Sequence, residues 1–292
     1  MNDPLDPARG SDHGANHYID KWLAAQPQQR VALVFVPPAR YPGHVALAAL
    51  EHEWLAAAYG IREPQVAAVK LNWWLEEMAA APASGGQHPL TQLLFDDPRA
   101  TAIPHAQWVA PLRAAIAQLD DGTAADFPAQ LAATAPLHGA LATLETAWWF
   151  GSDASPVRAA AVATANHLLH ALRRLESDIE RDRLPLPMAR LARHGLARNQ
   201  LREASDARAQ AVRAQLTDLQ TTWRDATSLA GPLSVFRAVE SWQGERLLRR
   251  ALGAAEPLAT LQAGPPDRGA ALTFTAWQAA RRWRRAAGAG IG

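Results

Sequence analysis

His167, His170, Arg174 and Asp178 are the residues whose types and spacing most directly suggest chemistry. They recur at i, i+3, i+7 and i+11 in a stretch rich in helix formers. On a helix turning about 100° per residue they fall within about 80° of one another, on one stripe. Leu168, Leu172, Leu175 and Ile179 form a second stripe about a third of a turn away, the face that reads as core. Two histidines one turn apart could begin a metal site, yet zinc needs a third and usually a fourth ligand, and none is evident nearby. Arg174 cannot ligate a cation and would repel one, but its fork could take a phosphate directly. Asp178 could contribute one carboxylate to a metal or pair with Arg174, Arg181 or Arg183. A metal site, a polar cavity wall and a solvated or internally satisfied face therefore all remain open for the stripe.

Other chemistries find less support. Cysteine is absent, which removes disulfides, thiolate catalysis and Cys-ligated zinc. There is no phosphate-binding glycine loop, nucleophile elbow or H-E-x-x-H motif. A formal net charge of +1 gives no field for nucleic acid, and the Arg281–Arg285 cluster is too short to argue for it. Nucleic acid is not an expected partner. That last segment also carries Trp277 and Trp283, so it reads either as a helix lying on an anionic membrane surface or as one whose cations complement its own dipole.

The elements that must position these residues are helices. Ala, Leu, Arg and Gln fill the gaps between apolar residues at helical spacing. Helices are predicted near 17–25, 44–59, 64–81, 105–119, 127–150, 155–182, 201–228, 231–252 and 270–286. Pro and Gly clusters separate them, and Asp153 or Ser155 before Pro156 suits a helix start. The run Val31–Val36 has strand composition but no partner strand, so it reads as a buried helix or loop segment. Residues 1–16 are polar and lack an apolar h-region, which reads as a flexible tail and not a signal peptide. Residues 17–286 read as one all-α domain and 287–292 as a second tail. No window is apolar enough to span a membrane. Lysine occurs only at Lys21 and Lys70 while Ala and Arg abound, a bias expected of a bacterial cytoplasmic protein. Trp73–Trp74 and Trp148–Trp149 could line a cavity or fill the core; adjacent residues diverge by about 100°, so one of each pair should face inward.

Three stretches in order resemble the squalene/phytoene synthase family over roughly residues 17–285. The first is Ala46–Leu55 with Glu63-Pro64 and Val69-Lys-Leu-Asn-Trp-Trp-Leu-Glu-Glu-Met78. The second is Gly86-Gln-His-Pro-Leu-Thr-Gln-Leu93. The third is the helix around Ala160–Glu180 running into Arg183-Leu-Pro-Leu-Pro187 and His194-Gly195, with a softer match at Leu233–Arg237 and Trp242. The short link from Glu53 to Trp73 resembles the branch that includes the mitochondrial complex I assembly factor and its bacterial relatives.

The resemblance implies an isoprenoid-synthase-type helical bundle around a central cavity. It also implies a reaction joining two isoprenyl diphosphates, with magnesium held by Asp at i and i+4 on two facing helices to neutralise the leaving group. Aligned on the Trp pair, the first aspartate positions fall at about Leu55, Ala56 and Tyr59, none acidic; Glu51 and Glu53 are the nearest acids. Aligned on Arg183 and Pro187, the second set falls on His167, His170, Arg174 and Asp178. The resemblance thus marks Glu53, Lys70, Trp74, His167, His170, Arg174, Asp178 and Arg183 as candidate cavity or diphosphate-binding residues, with Asp178 the one candidate metal ligand.

Two readings of function follow. The chain is a degenerate member retained for isoprenoid or lipid binding, or as an assembly factor with a protein partner at the inner membrane surface; or it is an active prenyltransferase using Mg2+ and isoprenyl diphosphates. The lost aspartates favour the first. The expected location is cytoplasmic, with attachment to the inner membrane if the last helix binds lipid.

Overall fold

The structure, a computed structural model, describes residues 7–180, 183–264 and 269–289. Among them there is no strand. Fifteen α-helices follow in order: α1 Pro7–Ala25, α2 Gln29–Leu33, α3 Pro42–Gly60, α4 Pro64–Ser84, α5 Pro89–Phe95, α6 Arg99–Ala102, α7 His105–Ala117, α8 Phe127–Phe150, α9 Val157–Arg173, α10 Leu175–Glu180, α11 Met188–Arg193, α12 Asp206–Ser228, α13 Val235–Leu252, α14 Pro257–Ala263 and α15 Gly269–Ala289. A 3-10 turn, Arg198–Arg202, precedes α12.

Side-chain caps set several starts. Asp126 accepts from the Ala129 N–H at 2.9 Å and opens α8 at the predicted residue. Ser205 and Ser234 do the same for α12 and α13, so these begin later than predicted. Neither Asp153 nor Ser155 caps α9; Pro156 itself occupies the N-cap. The Val31–Val36 run is the end of short helix α2 and the turn after it, as expected of a segment without a partner strand. Pro82 does not end α4, which runs two residues further and closes on Gly85 in the left-handed region at φ 78°.

The first and last helices also extend outward beyond their expected bounds. α1 begins at Pro7 instead of residue 17, because a proline suits a first turn and Ala15 packs into the core. α15 continues to Ala289 instead of stopping at 286. The tails expected at 1–16 and 287–292 lie partly outside the described residues, at 1–6 and 290–292.

Two apolar cores meet along the bundle. One joins α1, α3, α4, α5, α7, α8 and α15 around Leu50, Trp54, Trp74, Trp108 and Trp148. The other joins α9, α10, α12, α13 and α14 around Leu169, Leu172, Leu216 and Trp223. α3 and α8 bury residues around most of their circumference, which makes them central helices. The motif loop after α4 is built from its own side chains. Glu77 accepts from the Gln87 and His88 N–H groups at 2.7 and 2.8 Å, and His88 Nδ1 caps α5 at Leu90.

Candidate functional site

The sequence-marked residues gather in two places. At the C-terminal end of α3, the Tyr59 ring lies 4.2 Å from that of His167 on α9, which is 4.4 Å from that of His138 on α8. Arg183 approaches the Tyr59 ring at 5.8 Å and donates to the Ala58 and Ile61 carbonyls at 3.1 and 3.4 Å, complementing the negative end of α3. The residue at the last aspartate position of the first helix thus meets the first residue of the His167–Asp178 stripe, but as two rings in tilted contact.

Burial governs protonation there. Desolvation, then repulsion from Arg237, lowers the His138 pKa to about 3. Desolvation, then Arg174, lowers His170 to about 4. His167 is lowered well below its ordinary value by burial and by His138, Arg174, His170 and Arg183. Desolvation raises the Tyr59 hydroxyl to about 12. At neutral pH these rings are uncharged; the fixed charge facing the histidines comes from arginines, and Tyr59 faces Arg183, Arg174 and Asp121.

The stripe of His167, His170, Arg174 and Asp178 is not on one continuous helix. α9 ends at Arg173; Arg174 leaves helical geometry, with its N–H shared between the His170 and Ala171 carbonyls at 3.1 and 3.0 Å, and α10 begins at Leu175. The predicted single helix over 155–182 is therefore two. Arg174 stays half exposed and reaches the buried Asp178 carboxylate at 3.8 Å. Arg181, also weighed as a partner of Asp178, lies outside the described residues.

The other gathering holds Glu53, Lys70 and Trp74. Glu53 is 2% exposed. Lys21 meets it at 2.5 Å and Lys70 at 3.9 Å, so both lysines of the chain converge on one carboxylate. Trp74 is buried between Trp54 and His88, while Trp73 is 46% exposed. That pair divides as the 100° step predicts. Trp148 and Trp149 do not divide: both are buried, because α7 and α9 flank α8 while α3 and α15 also pack on it.

Sequence reasoning missed the most charged cluster. Arg237 on α13 holds Glu51 at 2.7 Å, Glu145 at 3.0 Å and Glu240 at 2.8 Å, and the Ser234 hydroxyl donates to Glu145 at 2.5 Å. Burial pushes the Glu51 pKa up to about 7 against the pull of Arg237, and raises Glu240 too. The signal was present: Glu145 is a lone acid in an apolar helix, and Ser234, Arg237 and Glu240 share a spacing of three. Glu51, Glu145, Arg237 and Glu240 line a cavity of about 40 Å3 between α1, α3, α8 and α13. That is room for a water or two, against about 300–1,000 Å3 for a typical small-molecule site.

The family resemblance implies magnesium, and the side chains present do not fit it. Leu55, Ala56 and Tyr59 offer no carboxylate, Arg174 is a cation, and Asp178 faces that cation. Among the described residues no three His, Asp or Glu side chains are arranged to hold a metal.

Comparison with known proteins bears on this geometry. The family model described as squalene/phytoene synthase matches residues 28–238. No curated protein matches the chain. Among solved structures, a dehydrosqualene synthase in complex with ligand superposes with a TM-score of 0.66 at 12% identity, over 96% of this chain and 98% of that one. Squalene synthase HpnC from Alicyclobacillus acidocaldarius superposes with a TM-score of 0.58 at 14% identity, over 95% of this chain and 94% of that one. At such identities the two structures speak for the shared fold.

Proposed function

The chain belongs to the squalene/phytoene synthase family, and we propose that it is a non-catalytic member, retained to bind isoprenoid or other lipid or to serve as an assembly factor. The observation that carries this is the exchange at the aspartate positions: Leu55, Ala56 and Tyr59 on α3, and His167, His170 and Arg174 on α9 and at its end. Ionising an allylic diphosphate requires metal charge on the leaving group. Here carboxylates give way to neutral rings, and the fixed charges beside them are the guanidiniums of Arg174 and Arg183. Such an array neutralises a diphosphate directly but holds no cation for it. Asp178 serves as the partner of Arg174 and not as a metal ligand. The 40 Å3 of space beside Glu51, far below what a C15 chain needs, supports the loss of the reaction at this place.

No helix among the described residues is long and apolar enough to cross a membrane. A peripheral place at the inner membrane surface rests on α15, where Phe274 and Trp277 are exposed and Arg281 lies 5.4 Å over the Trp277 ring.

Calorimetric titration with a non-ionisable farnesyl thiodiphosphate tests the reading. Any affinity for it should be the same within about twofold in magnesium and in EDTA, because no protein carboxylates recruit the metal; a magnesium-dependent gain beyond about tenfold would overturn it.

A further inference from the structure

About 24 Å of helix separates Tyr59 from Gly43 at the start of α3. There the bundle carries a cavity of about 530 Å3, in the size range of small-molecule sites. A Cβ at Gly43 would come within 2.5 Å of the Trp148 ring, so α3 and the end of α8 approach here more closely than any other residue permits. Arg40, Arg99 and Arg284 stand around this cavity, brought from the loop before α3, from α6 and from α15. Asp97 engages Arg99 at 2.9 Å. Neither Arg40 nor Arg284 has a carboxylate partner among the described residues; Arg284 donates to the Phe35 carbonyl at 3.0 Å, and Arg40 lies 5.4 Å over the Tyr41 ring. Two guanidinium charges thus remain unbalanced.

The remaining wall is aromatic. Trp283 lies 4.8 Å from Trp149 and 5.0 Å from Tyr41, and these rings line the cavity with Trp148. Behind them sits His44, fully buried, with its ring taking up an Arg99 N–H at 2.8 Å. The Trp148 indole N–H is buried and has no hydrogen-bond partner. The indoles of Trp54, Trp74 and Trp223 are buried in the same way, so this N–H reflects the packing of the tryptophans, and it is the arginines and the ring wall that point to a ligand. Apart from the arginines and indoles, the polar side chains on the lining are the Tyr41 and Ser152 hydroxyls, too few to read a sugar or a base.

We propose that this cavity binds an amphiphilic anion, a single phosphate or carboxylate head on an apolar body, with Arg40 and Arg284 taking the head and the Trp148, Trp149 and Trp283 wall taking the body. The site is separate from the Tyr59–His167 ring contact. Its occupancy does not depend on whether the family's reaction is retained, so failure of one reading leaves the other standing. The head is supplied by a free amphiphile or by a phospholipid at a membrane surface.

Titration calorimetry with octyl phosphate decides, with octanol and inorganic phosphate as the half-ligands. Octyl phosphate binds, and each half-ligand binds at least about tenfold more weakly. The exposed pair Arg40→Gln/Arg284→Gln removes both unbalanced charges, and Ala102→Trp fills the mouth from an exposed position without changing charge. Each weakens octyl phosphate by about tenfold or more, while Arg281→Gln, outside the lining, changes it by less than about twofold. Circular dichroism confirms that the variants are folded. Sedimentation with phosphatidic acid vesicles separates the sources. Vesicle binding lost in Ala102→Trp identifies a lipid headgroup; octyl phosphate binding sensitive to Ala102→Trp with vesicle binding unchanged identifies a free amphiphile. No binding of octyl phosphate, or binding indifferent to both cavity variants, overturns the proposal.

Discussion

Arg237 shows how charge is spent inside this bundle. One buried guanidinium neutralises part of three carboxylates drawn from α3, α8 and α13. Replacing it by Leu leaves those acids buried without a cation, and should lower stability by about 3–5 kcal/mol in urea unfolding. A loss below about 1 kcal/mol would mean that the acids are already protonated or solvated. The buried histidines set the acid limb. His44, His138 and His170 have folded pKa values of about 3, 3 and 4 against an ordinary 6.5. Between those values the unfolded chain binds more protons than the folded one, so their contribution to stability is complete above 6.5 and is lost as pH falls. Glu51 acts the other way: raised from 4.5 to about 7, it favours the folded state when protonated, and stability drawn from it is lost as pH rises through that window. Three histidines outweigh it, so the melting temperature should fall from pH 6.5 to pH 4. Ring resonances of His44, His138 and His170 that titrate near 6.5 would contradict this. At this scale the sequence was partly legible. It brought out His167, Arg174 and Asp178 as one group, but it could not show the Tyr59 ring against His167, a contact between residues more than a hundred positions apart.

Helices were more legible than their ends. The predicted start of α8 holds because Asp126 supplies a local cap, whereas the start of α1 depends on packing against the core, which no local signal carries. The division of the predicted 155–182 helix at Arg174 is also invisible in composition, since Arg is a good helix former. Close crossings of helices were not legible either. Gly244 on α13 sits where a Cβ would collide with Asn166 Oδ1 on α9 and come within 2.5 Å of Trp223 on α12. Gly244→Ala should therefore destabilise by about 1–3 kcal/mol through overpacking, although alanine is the better helix former; a stabilising effect in thermal melts would show the three helices to be looser than drawn.

At the scale of the whole molecule, an all-α bundle was readable from periodicity, and its family from three motifs in order. The structure adds that the bundle holds two cores and a buried charge cluster around Arg237, with the space beside Glu51 nearly filled and a larger cavity at the far end of α3. The central claim is that the scaffold is kept while the magnesium-dependent reaction is not. Incubation of the purified protein with farnesyl and geranylgeranyl diphosphate, in magnesium and in manganese, followed by mass spectrometry of the extract, tests that claim most directly. The account predicts both substrates recovered intact, with no condensed hydrocarbon and no enzyme-dependent release of diphosphate; squalene, phytoene or a cyclopropyl intermediate formed in proportion to protein would contradict it.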